Sequence, residues 1–159
     1  MVQLKKKGDE KMNQEVYPLV VPRLSFNGQC TQALELYKEA FSATVKEKIH
    51  FSEADPRDFQ YKNEDEKNFV YYAELMIGKH MVMMHDDSNS LLDKEANEKI
   101  SSTALCISFE SEEKARAAYQ ILSDGGKILT PIHSTSFCSF YVSLVDKFGV
   151  SWDLYFGDA

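Results

Sequence analysis

The chain has 159 residues, of which 43% are hydrophobic and 12% aromatic, so it suits a globular domain with a sizeable core and not a disordered chain. Its net charge of −7 and its alternating lysines and acids argue against a nucleic-acid-binding protein, which usually shows a basic face. No apolar run approaches the roughly 20 residues of a membrane span, and three widely spaced cysteines predict a reducing, cytoplasmic location.

The first elements follow a short N-terminal tail. Residues 1–15 are basic and lack the apolar core of a secretory signal, so they are expected to be mobile. A strand is predicted at 17–26, at a sheet edge because Pro18 and Pro22 lack a donor N–H. Helical periodicity predicts a helix over 31–42. The apolar stripe of this helix consists of Ala33, Leu34, Tyr37, Ala40 and Phe41.

Three more strands complete the first half. A strand at 44–51 is followed by a polar loop at 52–68, long enough to be a lid or to be disordered. Strands at 69–77 and 80–86 are joined by the two-residue turn Gly78–Lys79, and glycine in first place indicates a type II′ hairpin.

The second half repeats this order. A second polar loop at 88–101 leads to a strand at 103–109. Ser111 is expected to cap the next helix, with Glu112 and Glu113 in the first turn, where the helix dipole favours acids. Three further strands are predicted at 127–133, 137–146 and 150–156.

The two halves also match in sequence. Both read β-α-β-β-β, and paired residues such as Phe26 and Phe109 recur at a constant separation. We therefore predict an α+β fold of two tandem βαβββ modules, at 16–88 and 102–157, within a single domain spanning 16–159.

Four stretches of the chain resemble one protein family. They are "PRLSFNGQCTQALELYKEAF", "YYAELMIG", "ISFESEEKARAAYQILSDGGKI" and "LVDKFGVSWDLYF". The chain resembles the PhnB-like branch of the vicinal oxygen chelate superfamily, which includes glyoxalase I, bleomycin-resistance proteins and extradiol dioxygenases. The resemblance implies a cupped mixed sheet with helices on its convex side, usually in a homodimer. It does not fix a reaction.

Members of this branch are often labelled 3-demethylubiquinone 3-methyltransferase-like. The sequence gives no support for that activity, since it has no glycine-rich loop between a parallel strand and a helix that could hold a nucleoside cofactor. Two positions also depart from the pattern of the family. Tyr72 stands where relatives often have histidine, and Cys138 stands where they have tryptophan. Both positions are expected to line the cup.

Metal-dependent members of the superfamily are implied to use four ligands, from the first and last strands of each module. The matching positions here are His85, Asp153, Val21 and Ala104. Valine and alanine side chains cannot donate to a metal, and two protein ligands rarely hold a divalent ion tightly. A divalent metal therefore requires Glu74 to join His85 and Asp153, or groups from a dimer partner.

Strand alternation assigns side chains to faces. In the third strand, Tyr72, Glu74 and Met76 are predicted to face the cup. The core side of that strand is predicted to hold Phe69, Tyr71, Ala73, Leu75 and Ile77. In the last strand, the residues predicted to face the cup are Ser151, Asp153 and Tyr155. In the fourth strand, one face is predicted to hold Met81, Met83 and His85, and the other His80, Val82, Met84 and Asp86.

Two functions follow from this arrangement. The first is a binding protein without a metal, which cups a small apolar or aromatic molecule. Its candidate ligand-binding residues are Arg23, Tyr72, Met83, Cys106, Cys138 and Tyr155. The alternative is a lyase, isomerase or dioxygenase-like enzyme, with or without a metal, in which Glu74, His85 and Asp153 act as acid and base. Against the enzyme, Glu74 and His85 could simply bond to each other or to Arg23 within a polar cup.

Overall fold

The computed structural model describes residues 17–87 and 102–157. The predictions for the tail at 1–15 and the loop at 88–101 lie outside the described residues, so the module bounds stay predictions. No helix in the described part of the chain is long and apolar enough to cross a membrane.

The order of elements is β-α-β-β-β twice, as predicted. Two short 3₁₀ turns, at Phe51–Glu53 and Glu64–Glu66, lie in the loop between the second and third strands. The first module comprises β1 (Arg23–Phe26), α1 (Cys30–Phe41), β2 (Thr44–His50), β3 (Val70–Ile77) and β4 (His80–Asp86). The second comprises β5 (Leu105–Ser108), α2 (Glu112–Ser123), β6 (Lys127–His133), β7 (Phe140–Val145) and β8 (Ser151–Phe156).

Each module forms its own four-stranded sheet with the same topology. The strand orders are β1-β4-β3-β2 and β5-β8-β7-β6, and the first strand of each is an edge strand parallel to the last. The remaining pairs are antiparallel. The matching topologies confirm the α+β fold of two βαβββ modules that the repeat predicted.

Both helices begin and pack as their sequences indicate. The Ser111 side chain accepts a bond of 3.2 Å from the Lys114 N–H, which confirms the predicted cap of α2. Helix α1 buries its apolar stripe and ends at Ser42, whose φ of 50° is left-handed. The left-handed φ of 58° at Gly78 fits the hairpin predicted there.

One hydrophobic core joins the two modules. It contains the buried faces of α1 and α2 together with one face of each sheet. The Trp152 ring on β8 lies 5.0 Å from Tyr37 and 4.9 Å from Phe41, both on α1. Because each sheet turns one face to this shared core, its other face points away from it.

The buried carboxylate of Asp146 connects three elements across this core. It accepts bonds from the Tyr37 hydroxyl at 2.7 Å and the Trp152 indole N–H at 2.8 Å. It also accepts from the backbone N–H groups of Phe148 and Val150, at 2.8 and 3.1 Å. The stretch "DKFGVSW", which carried much of the family resemblance, is therefore a structural turn bonded to the opposite module.

Strand alternation predicts β4 correctly and β3 only in part. Val82, Met84 and Asp86 are buried, which leaves Met83 and His85 on the outer face. In β3 the prediction was wrong for Phe69 and Tyr71, which lie outside the shared core, because Val70 is the buried residue. The pairing with β2 shifts between Ile49 and His50, and this bulge reverses the facing of the first residues of β3. In β8, Ser151 is buried and not open to a cup.

Candidate functional site

A cleft of about 400 Å³ opens on the outer face of the first sheet. Its volume lies within the range typical of small-molecule sites. Every lining residue belongs to the first module: Arg23, Phe51, Phe59, Tyr71, Tyr72, Met83, Met84, His85, Asp86 and Asp87. The predicted ligand-binding residues Arg23, Tyr72 and Met83 and the predicted catalytic residue His85 are thus brought together.

Aromatic rings form one wall of the cleft. The Phe59 ring lies 4.5 Å from Phe51 and 5.2 Å from Tyr71, measured between ring centroids, and Phe69 continues the cluster behind Phe51 at 5.7 Å. The bulge in β3 places Tyr71 in this wall. Sequence reasoning missed the wall, although a phenylalanine inside the otherwise polar loop at 52–68 is a signal that the loop packs on the sheet.

Arg23 and His85, which line the same cleft, form a polar cluster with Ser25. It forms because β1 runs parallel beside β4, with Ser25 directly opposite His85. The Nε and Nη2 atoms of Arg23 lie 3.1 and 3.0 Å from His85 Nε2. The Ser25 hydroxyl lies 2.6 Å from the same nitrogen. Sequence reasoning allowed for the bond between Arg23 and His85 but did not consider Ser25.

These contacts determine the protonation of His85. A guanidinium can only donate, so Nε2 must accept, and the proton of the neutral ring is then assigned to Nδ1. Burial, and next the charge of Arg23, hold the pKa of His85 below its ordinary value, while Asp87 and Asp86 oppose this. The imidazole is therefore neutral at physiological pH.

The lowered pKa of His85 predicts how stability depends on pH. The unfolded chain binds a proton on His85 more readily than the folded chain does, so acid favours unfolding. We expect the stabilisation by His85 to be complete above about pH 6.5, the ordinary histidine pKa, and to be lost as the pH falls below it. The measurement is the free energy of unfolding of wild type minus that of His85→Gln, from urea denaturation between pH 5 and 8.

The matched control is His80→Gln, because His80 is an exposed residue at the hairpin turn. His80→Gln should change the free energy of unfolding by less than about 0.5 kcal/mol, as is usual for an exposed side chain. A difference for His85→Gln that does not change with pH, or that grows in acid, would contradict the assignment of a neutral imidazole bonded to Arg23.

Tyr72 and Glu74 form a separate pair on the same face. The Tyr72 hydroxyl donates to Glu74 Oε1 at 2.6 Å. This bond, with burial as a lesser cause, raises the pKa of Tyr72 to about 12. Glu74 therefore has its partner in Tyr72, and the Glu74–His85 bond considered from sequence does not form.

Asp86 lines the cleft, but its hydrogen bonds stabilise the fold. Its carboxylate oxygens accept from the N–H of Cys30 at 3.0 Å and of Val70 at 2.8 Å. Cys30 is the first residue of α1, so Asp86 caps that helix from the neighbouring strand. Burial raises the pKa of Asp86, and these N–H bonds oppose the shift.

The remaining predicted site residues lie on the second module. Asp153 and Cys106 are cross-strand neighbours with Sγ and Oδ2 3.8 Å apart, and Tyr155 lies on the same strand as Asp153. Burial, and next Asp153, raise the pKa of the Cys106 thiol, which disfavours a thiolate nucleophile. Cys138 is buried in a turn, with Sγ 3.1 Å from Thr135 Oγ1, and does not line the cleft.

The donors do not fit a metal ion within one chain. No group of three or more His, Cys, Asp or Glu side chains in the described part could hold one. His85 Nε2 faces a cation, Glu74 accepts from Tyr72, and Asp153 belongs to the other sheet. Val21 and Ala104, which stand at the other two ligand positions that the resemblance implies, have apolar side chains. The three residues proposed for acid–base or metal chemistry are thus not brought together.

Comparison with known proteins supports the fold. No family model matches the chain. Protein YjdN of Escherichia coli is 26% identical over 133 residues, covering 82% of this chain and 90% of YjdN. The solved structure of the PhnB protein from Bacillus cereus is 24% identical, with a TM-score of 0.70, covering 87% of this chain and 98% of that one.

A glyoxylase/bleomycin resistance protein/dioxygenase domain from Frankia is 12% identical, with a TM-score of 0.61, and covers 90% of this chain and 93% of that one. At such identities the similarity shows the fold alone. The chain has the glyoxalase/bleomycin resistance/dioxygenase fold, and the predicted resemblance to PhnB-like proteins is confirmed.

Proposed function

We propose that this protein binds a small, flat apolar or aromatic molecule in the cleft of the first module, without a bound metal. The observation that carries the proposal is the cleft itself, in which aromatic rings and Met83 offer an apolar surface. Polarisable methionine and aromatic side chains suit flat ligands. The polar side chains beside them already bond to one another, whereas a metal site needs side chains whose donor atoms are open to the ion.

We further propose that two copies complete the cup. The cleft is lined by the first module only, whereas Asp153, Cys106 and Tyr155 lie on a sheet whose outer face points away from the shared core. In a homodimer with two-fold symmetry, the outer face of one first module can meet the outer face of the partner's second module. The predicted cytoplasmic location stays a prediction.

The binding proposal is tested with 2-naphthamide, an uncharged flat aromatic. We expect saturable binding with one molecule per chain, and a shift of the Met83 methyl resonance in protein labelled with ¹³C-methyl methionine. Met83→Glu places a charge among the rings and should weaken this binding at least tenfold, since one buried charge easily exceeds the 1.4 kcal/mol that tenfold represents.

Ala117→Glu is the control for that substitution, because Ala117 is exposed on α2 and lies outside the cleft. It should leave the affinity within about twofold. If 2-naphthamide causes no shift at Met83, or if Ala117→Glu weakens binding as much as Met83→Glu, the cleft is not the site.

The enzyme alternative rests on one observation, the neutral His85 imidazole within 2.6 Å of the Ser25 hydroxyl. A neutral imidazole can accept a proton from a substrate. Metal analysis of the purified protein, followed by melting curves with Zn²⁺, Ni²⁺, Mn²⁺ and Fe²⁺, separates the binding protein from a metal-dependent enzyme. Tight stoichiometric metal that His85→Ala abolishes would favour the enzyme over the binding protein.

A further inference from the structure

We propose that the ligand of the cleft carries an anionic group, such as a carboxylate, and that Arg23 binds this group while the aromatic wall holds the ring. This inference rests on the proposed binding function and narrows it to one chemical class. It is argued from the partners of the three arginines of the chain.

Within the described residues, Arg23 differs from the other two arginines in forming no ion pair with an acidic side chain. Arg57 pairs with Asp55 at 2.6 Å, and Arg116 pairs with Glu112 at 2.7 Å. None of the ion pairs found among residues 17–87 and 102–157 involves Arg23. In a chain of net charge −7, a guanidinium in a cleft without a carboxylate partner is a distinctive feature.

The present partner of Arg23 is a weak one. Its Nε and Nη2 atoms both approach the single lone pair of His85 Nε2, which the Ser25 hydroxyl also approaches. A neutral imidazole satisfies one donor at a time, whereas a carboxylate accepts two parallel N–H bonds from a guanidinium and carries the opposite charge. A ligand carboxylate would therefore displace the imidazole from Arg23, leaving Nε2 to accept from Ser25.

Two carboxylates also line the cleft, and their roles differ. Asp86 accepts from two backbone N–H groups and caps α1, so its charge is directed to the helix. Asp87 follows it at the end of the strand. The negative charge of Asp87 opposes the binding of an anionic ligand. Removing this charge therefore provides a second test, with an effect opposite to that of removing Arg23.

The aromatic wall indicates the kind of molecule that carries the anionic group. Phe59 and Tyr71 line the same cleft as Arg23 and expose ring surface to it. A ligand that reaches both features has a flat apolar body and a charged end. An aryl or arylalkyl carboxylate is the simplest molecule of that class, and a cleft of about 400 Å³ is large enough for a naphthalene ring.

The test compares three naphthalene probes of similar size by calorimetry at pH 8: 2-naphthoate, 2-naphthamide and 2-naphthylmethylamine. We expect the carboxylate to bind roughly 10- to 100-fold more tightly than the amide, as the loss of a bond to a charged group implies, and the amine to bind most weakly. Arg23→Gln should remove the preference for the carboxylate. The shift of the Met83 methyl resonance that 2-naphthamide causes should persist in this variant, which shows that the cleft is intact.

Two further variants sharpen the result. Lys79→Gln removes one positive charge at the exposed hairpin turn and should keep the full preference. Asp87→Asn should increase the ratio of the 2-naphthoate affinity to the 2-naphthamide affinity. Equal binding of carboxylate and amide by wild type, or a preference that survives Arg23→Gln, overturns the assignment of the anion to Arg23. Failure of all three probes to bind overturns the proposed binding function itself.

Discussion

Asp146→Ala should destabilise the fold by about 3–5 kcal/mol, because a buried donor left without its acceptor costs about 1–3 kcal/mol and several are left so at once. Four donors lose their acceptor at once, namely the Tyr37 hydroxyl, the Trp152 indole and two backbone N–H groups. Because domains of this size are stable by only about 5–15 kcal/mol, the loss is a large fraction of the total. Urea denaturation measures it as a lower midpoint with an unchanged slope.

Asp58→Ala is the matched control, since Asp58 is exposed in the loop between β2 and β3 and should change stability by less than about 0.5 kcal/mol. Tyr37→Phe removes a single donor and should cost about 1.5–3 kcal/mol, as expected for one bond to a charged group. A loss below about 1 kcal/mol for Asp146→Ala would mean that water replaces the carboxylate, and that the turn does not join the modules.

Periodicity predicted the fold because each element carries its own pattern. The stripe of α1, the Ser111 cap and the Gly78 turn are local signals, and the duplication made each half a check on the other. Alternation along β4 placed His85 on the outer face for the same reason. It failed in β3, where the bulge at Tyr71 depends on pairing with β2 and leaves no mark in the β3 sequence itself.

The site was harder to predict because its contacts join distant residues. Arg23 and Ser25 meet His85 only after β1 has paired with β4. An aspartate at the start of a turn is a common sequence signal, and Asp146 is an example. The bond from Tyr37 to Asp146, however, joins residues that are 109 positions apart. Grouping Asp153 with His85 assumed one cup in one chain, whereas the structure places them on separate sheets.

Whether each cup is shared between two chains can be tested directly by combining two different variants in one dimer. One variant carries Met83→Glu on the outer face of the first module, and the other carries Tyr155→Ala on that of the second. If each cup combines the two faces across a homodimer, either homodimer should bind 2-naphthamide at least tenfold more weakly, because each has a defect in both of its cups. A heterodimer of the two variants should recover one intact cup, seen as one tightly bound molecule per dimer.

The decisive comparison is a second heterodimer, in which one chain carries both substitutions and its partner is wild type. Differently tagged chains, coexpressed and purified through both tags, give each species cleanly. If the cups are shared between chains, the doubly altered chain contributes a defective face to both cups, and no tight site is left. With cups built within single chains, the result reverses: this heterodimer keeps one site, and the heterodimer of single variants has none. A single tight site in both heterodimers would show that the first module binds alone, and failure to isolate any heterodimer would refute the dimer.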